Sequence, residues 1–131
     1  MSNRHLDWLR QAGADLASAD TLLEGGHFEW ACFAAQQGAE KAVKALYVKR
    51  GADAWGHTIT PLLGGLPGPD AAAGDLITCA KILDKHYIPT RYPNGLDSGA
   101  PADFYTRQEA DAARECARRI FDFCARAIRG T

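Results

Sequence analysis

At 131 residues, with 47% apolar and 24% charged positions, the chain is long enough to bury one core and too hydrophobic to stay disordered. A formal net charge of −1 gives the molecule no overall attraction for a polyanion, so any RNA or DNA contact has to come from a local patch. That balance excludes a generally basic nucleic-acid coat and a two-domain architecture; a single domain over residues 1–131 is expected.

The opening MSNRHLDWLRQ carries no apolar leader region, and no window approaches the roughly eighteen uninterrupted apolar residues of a membrane span. The chain reads as cytoplasmic, with no membrane contact. From Asn3 to Glu24, Leu6, Leu9, Gly13, Leu16 and Leu23 recur at helical spacing, and Gly25-Gly26 ends the segment. His27 to Arg50 is a second helix, with Lys49 and Arg50 in its last turn and Gly51 beyond as a cap.

On a helical wheel Ala31, Ala35, Gly38 and Ala42 of this second helix share a narrow arc that lets a neighbour come close. Glu40 and Lys44 form an i,i+4 pair on the far side, with Gln37 and Lys41 nearby, which reads as a solvated stripe. Trp30 and Phe33 lie on that second side too, so the first turns are apolar nearly all round and need a second cover. Either another helix of the bundle supplies it or Trp30 and Phe33 centre a homodimer interface.

Gly51 to Pro69 is rich in Gly and Pro, with room for one short helical turn around Thr60–Leu63. A third long helix is expected from Asp70 to His86, on Leu76, Ile77, Ala80 and Leu83, with Pro89 preventing continuation. Tyr87 to Tyr105 is then a loop. Thr106 and Glu109 make a capping box that opens a last helix to about Arg129, kept apolar on one face by Ala113, Ala117, Ile120, Cys124 and Ala127. No segment alternates like a strand, so the fold is all-α, an antiparallel up-and-down four-helix bundle with an additional short helix. Cys32, Cys79, Cys116 and Cys124 include no CxxC pair and no histidine at a zinc-site spacing; reduced, buried thiols are expected, with no metal and no cofactor.

The order of motifs carries a likeness. DLASADTLLEGGHFEWACFAAQQGAEKAVKALYVKRG resembles the first two helices of HEPN domains (higher eukaryote and prokaryote nucleotide-binding). GHTITPLL is similar to that family's Gly-His-Ser/Thr-Leu-x-x-Leu-Leu turn, and YIPTRYPN to its Tyr-x-x-Thr-Arg-Tyr-Pro-Asp/Asn element. The resemblance covers nearly the whole chain. It implies a bundle that is usually dimeric and similar to the helical, substrate-binding domain of kanamycin nucleotidyltransferase. It also implies a minimal prokaryotic HEPN protein, encoded beside a minimal nucleotidyltransferase in a toxin–antitoxin-like pair or binding nucleotides with it.

Many HEPN toxins are metal-independent ribonucleases that use Arg, four to six residues, then His. In such a pair His moves a proton to or from the 2′-hydroxyl while Arg offsets charge on the phosphorane. Arg50 and His57 have the spacing but straddle Gly51 and Gly56 in a connection, away from the last helix where the motif belongs. Lys81 and His86 lie closer to that place, yet lysine lacks the bidentate fork. At a helix C-terminus His86 is expected to favour its protonated form. Tyr87 follows His86 directly, one position short of the tyrosine that is adenylylated in some HEPN toxins.

The 87–105 loop is longer than a bundle connection requires. Arg91 stands between Thr90 and Tyr92, with Tyr87 upstream, so a guanidinium and hydroxyls can converge on a phosphate while a ring stacks on a base. The plainer alternative has the aromatics packing the loop down and Arg91 paired with Glu29 or Glu40. Arg107, Arg114 and Arg118 make a modest stripe on the last helix, interleaved with Asp111 and Glu115 as on a solvated face. The sequence therefore favours a dimeric binding module with nucleotide or RNA contact at Thr90, Arg91, Tyr92 and Tyr87. Its rivals are a divergent ribonuclease using His86 with Lys81 or Arg91, and a purely structural dimer joined through Trp30 and Phe33.

Overall fold

The computed structural model describes residues 3–130 and contains six α-helices. They are α1 (Arg4–Glu24), α2 (Phe28–Lys49), α3 (Ile59–Gly64), α4 (Gly74–Asp84), α5 (Pro101–Phe104) and α6 (Arg107–Arg129). Two 3₁₀ turns, Gly68–Asp70 and Pro93–Gly95, punctuate the connections. Among the described residues there is no strand, and no helix is long and apolar enough to cross a membrane. The four long helices form the up-and-down bundle, with α2 central: it packs on α1 along its length and on α6, while α4 closes on α6.

The small-residue arc of α2 does what its pattern predicts. Ala31, Ala35, Gly38 and Ala42 are buried, and a methyl group placed on Gly38 would lie 2.9 Å from Leu16 Cδ2 and 3.1 Å from the Ala12 carbonyl. Only glycine lets α1 and α2 approach this far. The inward stripe of α1 is correspondingly His5, Ala12, Leu16, Ala19 and Leu23. Leu6, expected inside from the leucine spacing, is half exposed, because it stands about 100° round the helix from His5 on the inward stripe.

The third long helix is shorter than expected at both ends. Asp70 belongs to the 3₁₀ turn, where Arg50 grips it with two hydrogen bonds, Nε to Oδ2 at 2.7 Å and Nη2 to Oδ1 at 2.9 Å. Ala73 is extended, so α4 begins at Gly74. At the other end Asp84 turns its carboxylate to the start of α3, accepting from the Ile59 and Thr60 amides at 2.6 and 2.9 Å and from the Thr60 hydroxyl at 2.5 Å. A helix of six residues is below the length that stands alone, and this distant carboxylate satisfies its first amides.

The capping box of α6 is present: the Glu109 amide donates to Thr106 Oγ1, and the Thr106 amide and hydroxyl both donate to Glu109 Oε1, each at 3.1 Å. Behind it Ala113, Ala117, Ile120 and Cys124 are fully inside, whereas Ala127 is only partly so. All four cysteines are free and buried. Burial pushes the thiols of Cys32, Cys116 and Cys124 up to about 12, as befits small hydrophobes.

The span 87–105 is not one open loop. Pro101 opens the four-residue α5, and the Ala100 amide donates to Asp103 Oδ2 at 2.9 Å. Gly99, with φ of +82°, lies against the Phe104 ring, where a Cβ would come within 2.8 Å of it, so any other residue there would be strained. A helix of one turn has too few residues to show a period, which is why the sequence leaves it invisible.

Candidate functional site

The first half of the 86–105 segment folds back onto α2. His86 continues the end of α4 by a turn, its amide donating to the Leu83 carbonyl, and Thr90 closes the next turn with its hydroxyl on the His86 carbonyl at 2.7 Å. Thr90 is only 1% exposed, so its hydroxyl is committed within the backbone of this turn. The consequence is to present Tyr87 and Arg91, one helical turn apart, on the side facing α2.

There Arg91 is cradled by aromatic rings. Its guanidinium carbon lies 4.4 Å from the centre of Phe33, 4.8 Å from Tyr87 and 5.2 Å from Tyr92. Its Nε donates to the Tyr87 carbonyl at 2.9 Å. Rings on several sides fix the fork without neutralising it. Among the described residues no carboxylate pairs with Arg91, neither Glu29 nor Glu40, so both terminal nitrogens keep their charge for something else.

Glu40 has different duties. The wheel places it on a solvated stripe; the structure instead buries it to 4% exposure, with Gln36 fully inside beside it. Glu40 Oε2 takes Lys44 Nζ at 3.0 Å and His57 Nδ1 at 3.1 Å, while Gln36 donates to Glu40 at 3.3 Å and to the His57 carbonyl at 3.0 Å. The connection after α2 therefore covers what the sequence assigns to water. His57 in turn stacks on Tyr87, ring centres 5.1 Å apart and planes 12° from parallel. A continuous support runs Gln36, Glu40, His57, Tyr87, Arg91, built from α2, the 56–58 turn and the 86–92 segment. Gln36 and Glu40 escape sequence reasoning as members of this support; their signal is that they share an arc of α2 with Phe33 and Lys44, so one cover reaches all four.

Phe33 receives its second cover from this chain, under Arg91 and against Tyr87 at 6.2 Å. Trp30 meets Phe33 edge-on at 5.9 Å and stays 46% exposed.

The expected cleavage residues do not converge. His86 is buried, with Nδ1 3.4 Å from the Tyr105 hydroxyl. Burial lowers its pKa from the usual histidine value, with Glu109 opposing and Lys85 adding to the shift, which runs against the expectation of a protonated helix-end histidine. Burial likewise pushes Tyr105 up to about 12. Lys81 is exposed on α4. Arg50 is held by Asp70 and His57 by Glu40, so their sequence spacing does not make a pair. On α6 Arg114 faces Asp20 and Asp111, and Arg107 lies over the Phe28 ring. Among the described residues no group of three or more His, Cys, Asp or Glu is arranged to hold a metal.

Beyond Tyr92 lies a recess of about 310 Å³, walled by Ile88, Tyr92, Phe104 and Tyr105 with Glu109 on its edge.

Comparison with known proteins covers the same span. The model of the HEPN domain matches residues 5–128. TT1696 from Thermus thermophilus is 48% identical, with 96% of this chain and 99% of that one aligned and a TM-score of 0.93. ST0689, an archaeal HEPN homologue, is 41% identical over 98% and 99% of the two chains, with a TM-score of 0.80. The HEPN domain protein TM0613 from Thermotoga maritima is 37% identical over 91% and 94%, with a TM-score of 0.73. No curated protein matches the chain significantly.

Proposed function

The chain belongs to the HEPN domain family, and from that premise we propose that it is a binding module whose Arg91 cluster takes an anionic group of a nucleotide or RNA. Its partner in this reading is a minimal nucleotidyltransferase in a toxin–antitoxin-like pair, and its own assembly is a homodimer with Trp30 at the contact. The observation that carries the proposal is the Arg91 guanidinium, held over three rings and, among the described residues, paired with no carboxylate. Because Nε is already engaged with the Tyr87 carbonyl, a phosphate would accept from the two outer nitrogens. The half-exposed Tyr92 ring offers a face for a base.

The geometry favours this over cleavage through His86. A general base must reach the proton it moves, and His86 is enclosed with Tyr105 while Lys81 lies outside on α4. The test measures mononucleotide and short RNA binding by calorimetry, with RNA integrity followed in parallel without metal. Arg91→Ala is expected to weaken binding at least tenfold, the scale of a lost charge-assisted fork, with RNA left intact. RNA degradation by the wild type that His86→Ala abolishes would sink the reading.

A further inference from the structure

The recess beyond Tyr92 has chemistry opposite to that of the Arg91 cluster. Tyr92 is the only residue common to both. Its lining includes three aromatic rings, Tyr92, Phe104 and Tyr105; the Tyr92 ring also carries Arg91 at 5.2 Å and the Tyr105 ring meets His86 at 5.6 Å. Phe104 is 55% exposed and Ile88 and Tyr92 nearly as much, a cluster of apolar side chains at one opening. The volume of about 310 Å³ lies at the lower end of small-molecule sites.

Its single charged lining group is Glu109. The capping box uses only Oε1, which accepts from the Thr106 amide and hydroxyl. Among the described residues no donor reaches Oε2. The capping box thus fixes the exposed Glu109 carboxylate in the lining of the recess and leaves Oε2 without a protein donor among the described residues. A phosphate or carboxylate ligand would meet this charge, and among the described residues the recess lining itself holds no cation. A protonated amine would gain from the carboxylate, and its apolar body from burial among the rings.

We propose that the recess between Tyr92, Phe104 and Tyr105 binds a small organic cation, an aryl- or alkylammonium whose apolar body lies among the rings and whose ammonium group donates to Glu109 Oε2. The site shares the Tyr92 ring with the Arg91 cluster but takes a ligand of opposite charge, and the proposal does not rest on anion binding at Arg91.

The test is an NMR titration of the full chain with phenethylammonium, alongside neutral 2-phenylethanol and anionic 3-phenylpropionate, which share its ring. Phenethylammonium is expected to saturate, with shifts gathered on the Gly95, Leu96 and Glu109 amides, and to bind at least tenfold more tightly than 3-phenylpropionate. Glu109→Gln keeps the capping box, since glutamine serves at that position, and should bring the amine down to the affinity of the alcohol. Phe104→Ala, at a half-exposed position, should weaken amine and alcohol alike by severalfold. Equal binding of amine and 3-phenylpropionate, an amine preference that survives in Glu109→Gln, or shifts that never saturate would each overturn the proposal.

Discussion

Replacing Asp70 with asparagine tests whether one ion pair locks three elements together. The Asp70 side chain is 7% exposed and takes both arms of the Arg50 fork, while Arg50 Nη2 also donates to the Ala127 carbonyl at 3.3 Å, so the pair ties the end of α2 and the 68–70 turn to the end of α6. Removing one partner of a fully buried pair costs about 3–5 kcal/mol. Here the fork is a quarter exposed and can regain some water, and asparagine still offers one acceptor, which brings the expected loss to about 2 kcal/mol. For a chain of this length that lowers Tm by roughly 5–8 °C. The pH dependence supplies a second reading. Arg50 holds Asp70 below the usual carboxylate range, so its contribution is present above the unfolded value near 3.9 and is lost as pH falls through the folded one. The gap between wild type and Asp70→Asn in urea unfolding should therefore be full at pH 7 and close in acid. The exposed Arg119–Asp75 pair is the control, with Asp75→Asn expected to change stability by less than about 0.5 kcal/mol. A similarly small effect for Asp70→Asn at pH 7, or a gap that persists in acid, would refute the reasoning.

Two further outcomes follow from the same geometry. Because burial lowers the pKa of His86, the unfolded chain takes up a proton at higher pH than the folded protein does; stability should fall as the pH drops through about 6.5 toward the lower folded value, and His86→Gln should flatten that dependence in urea titrations. If Trp30 centres a homodimer, sedimentation equilibrium should give twice the chain mass for the wild type and a concentration-dependent return to monomer for Trp30→Ala; an unchanged mass in the variant removes that contact from the assembly.

Periodicity and capping chemistry were enough to place the four long helices, because each carries an apolar period or an end signal over several turns. What they could not reach was depth. A wheel gives the direction in which Glu40 points, but whether water waits there depends on the 51–58 connection folding back over α2, a contact seventeen residues away at His57. The same limit applies to His86, whose position at a helix end suggests a charge while Tyr105, nineteen residues on, helps to enclose it. Leucine spacing misplaced Leu6 because the inward stripe of α1 runs through His5, Ala12 and Ala19 as well as Leu16 and Leu23. The candidate site was legible as a segment, through Arg91 and its tyrosines; its supports on α2 and at residue 57 are tertiary facts.

The carboxylate of Asp84 makes α3 conditional. Three donors at the start of a six-residue helix converge on a side chain 24 and 25 positions away, so the Ile59 and Thr60 amides have their acceptor only when α4 is docked. Hydrogen exchange at those two amides would then report the opening of α4 rather than the fraying of α3, and the two helices would open as one cooperative unit despite the connection of residues 65–73 that separates them along the chain.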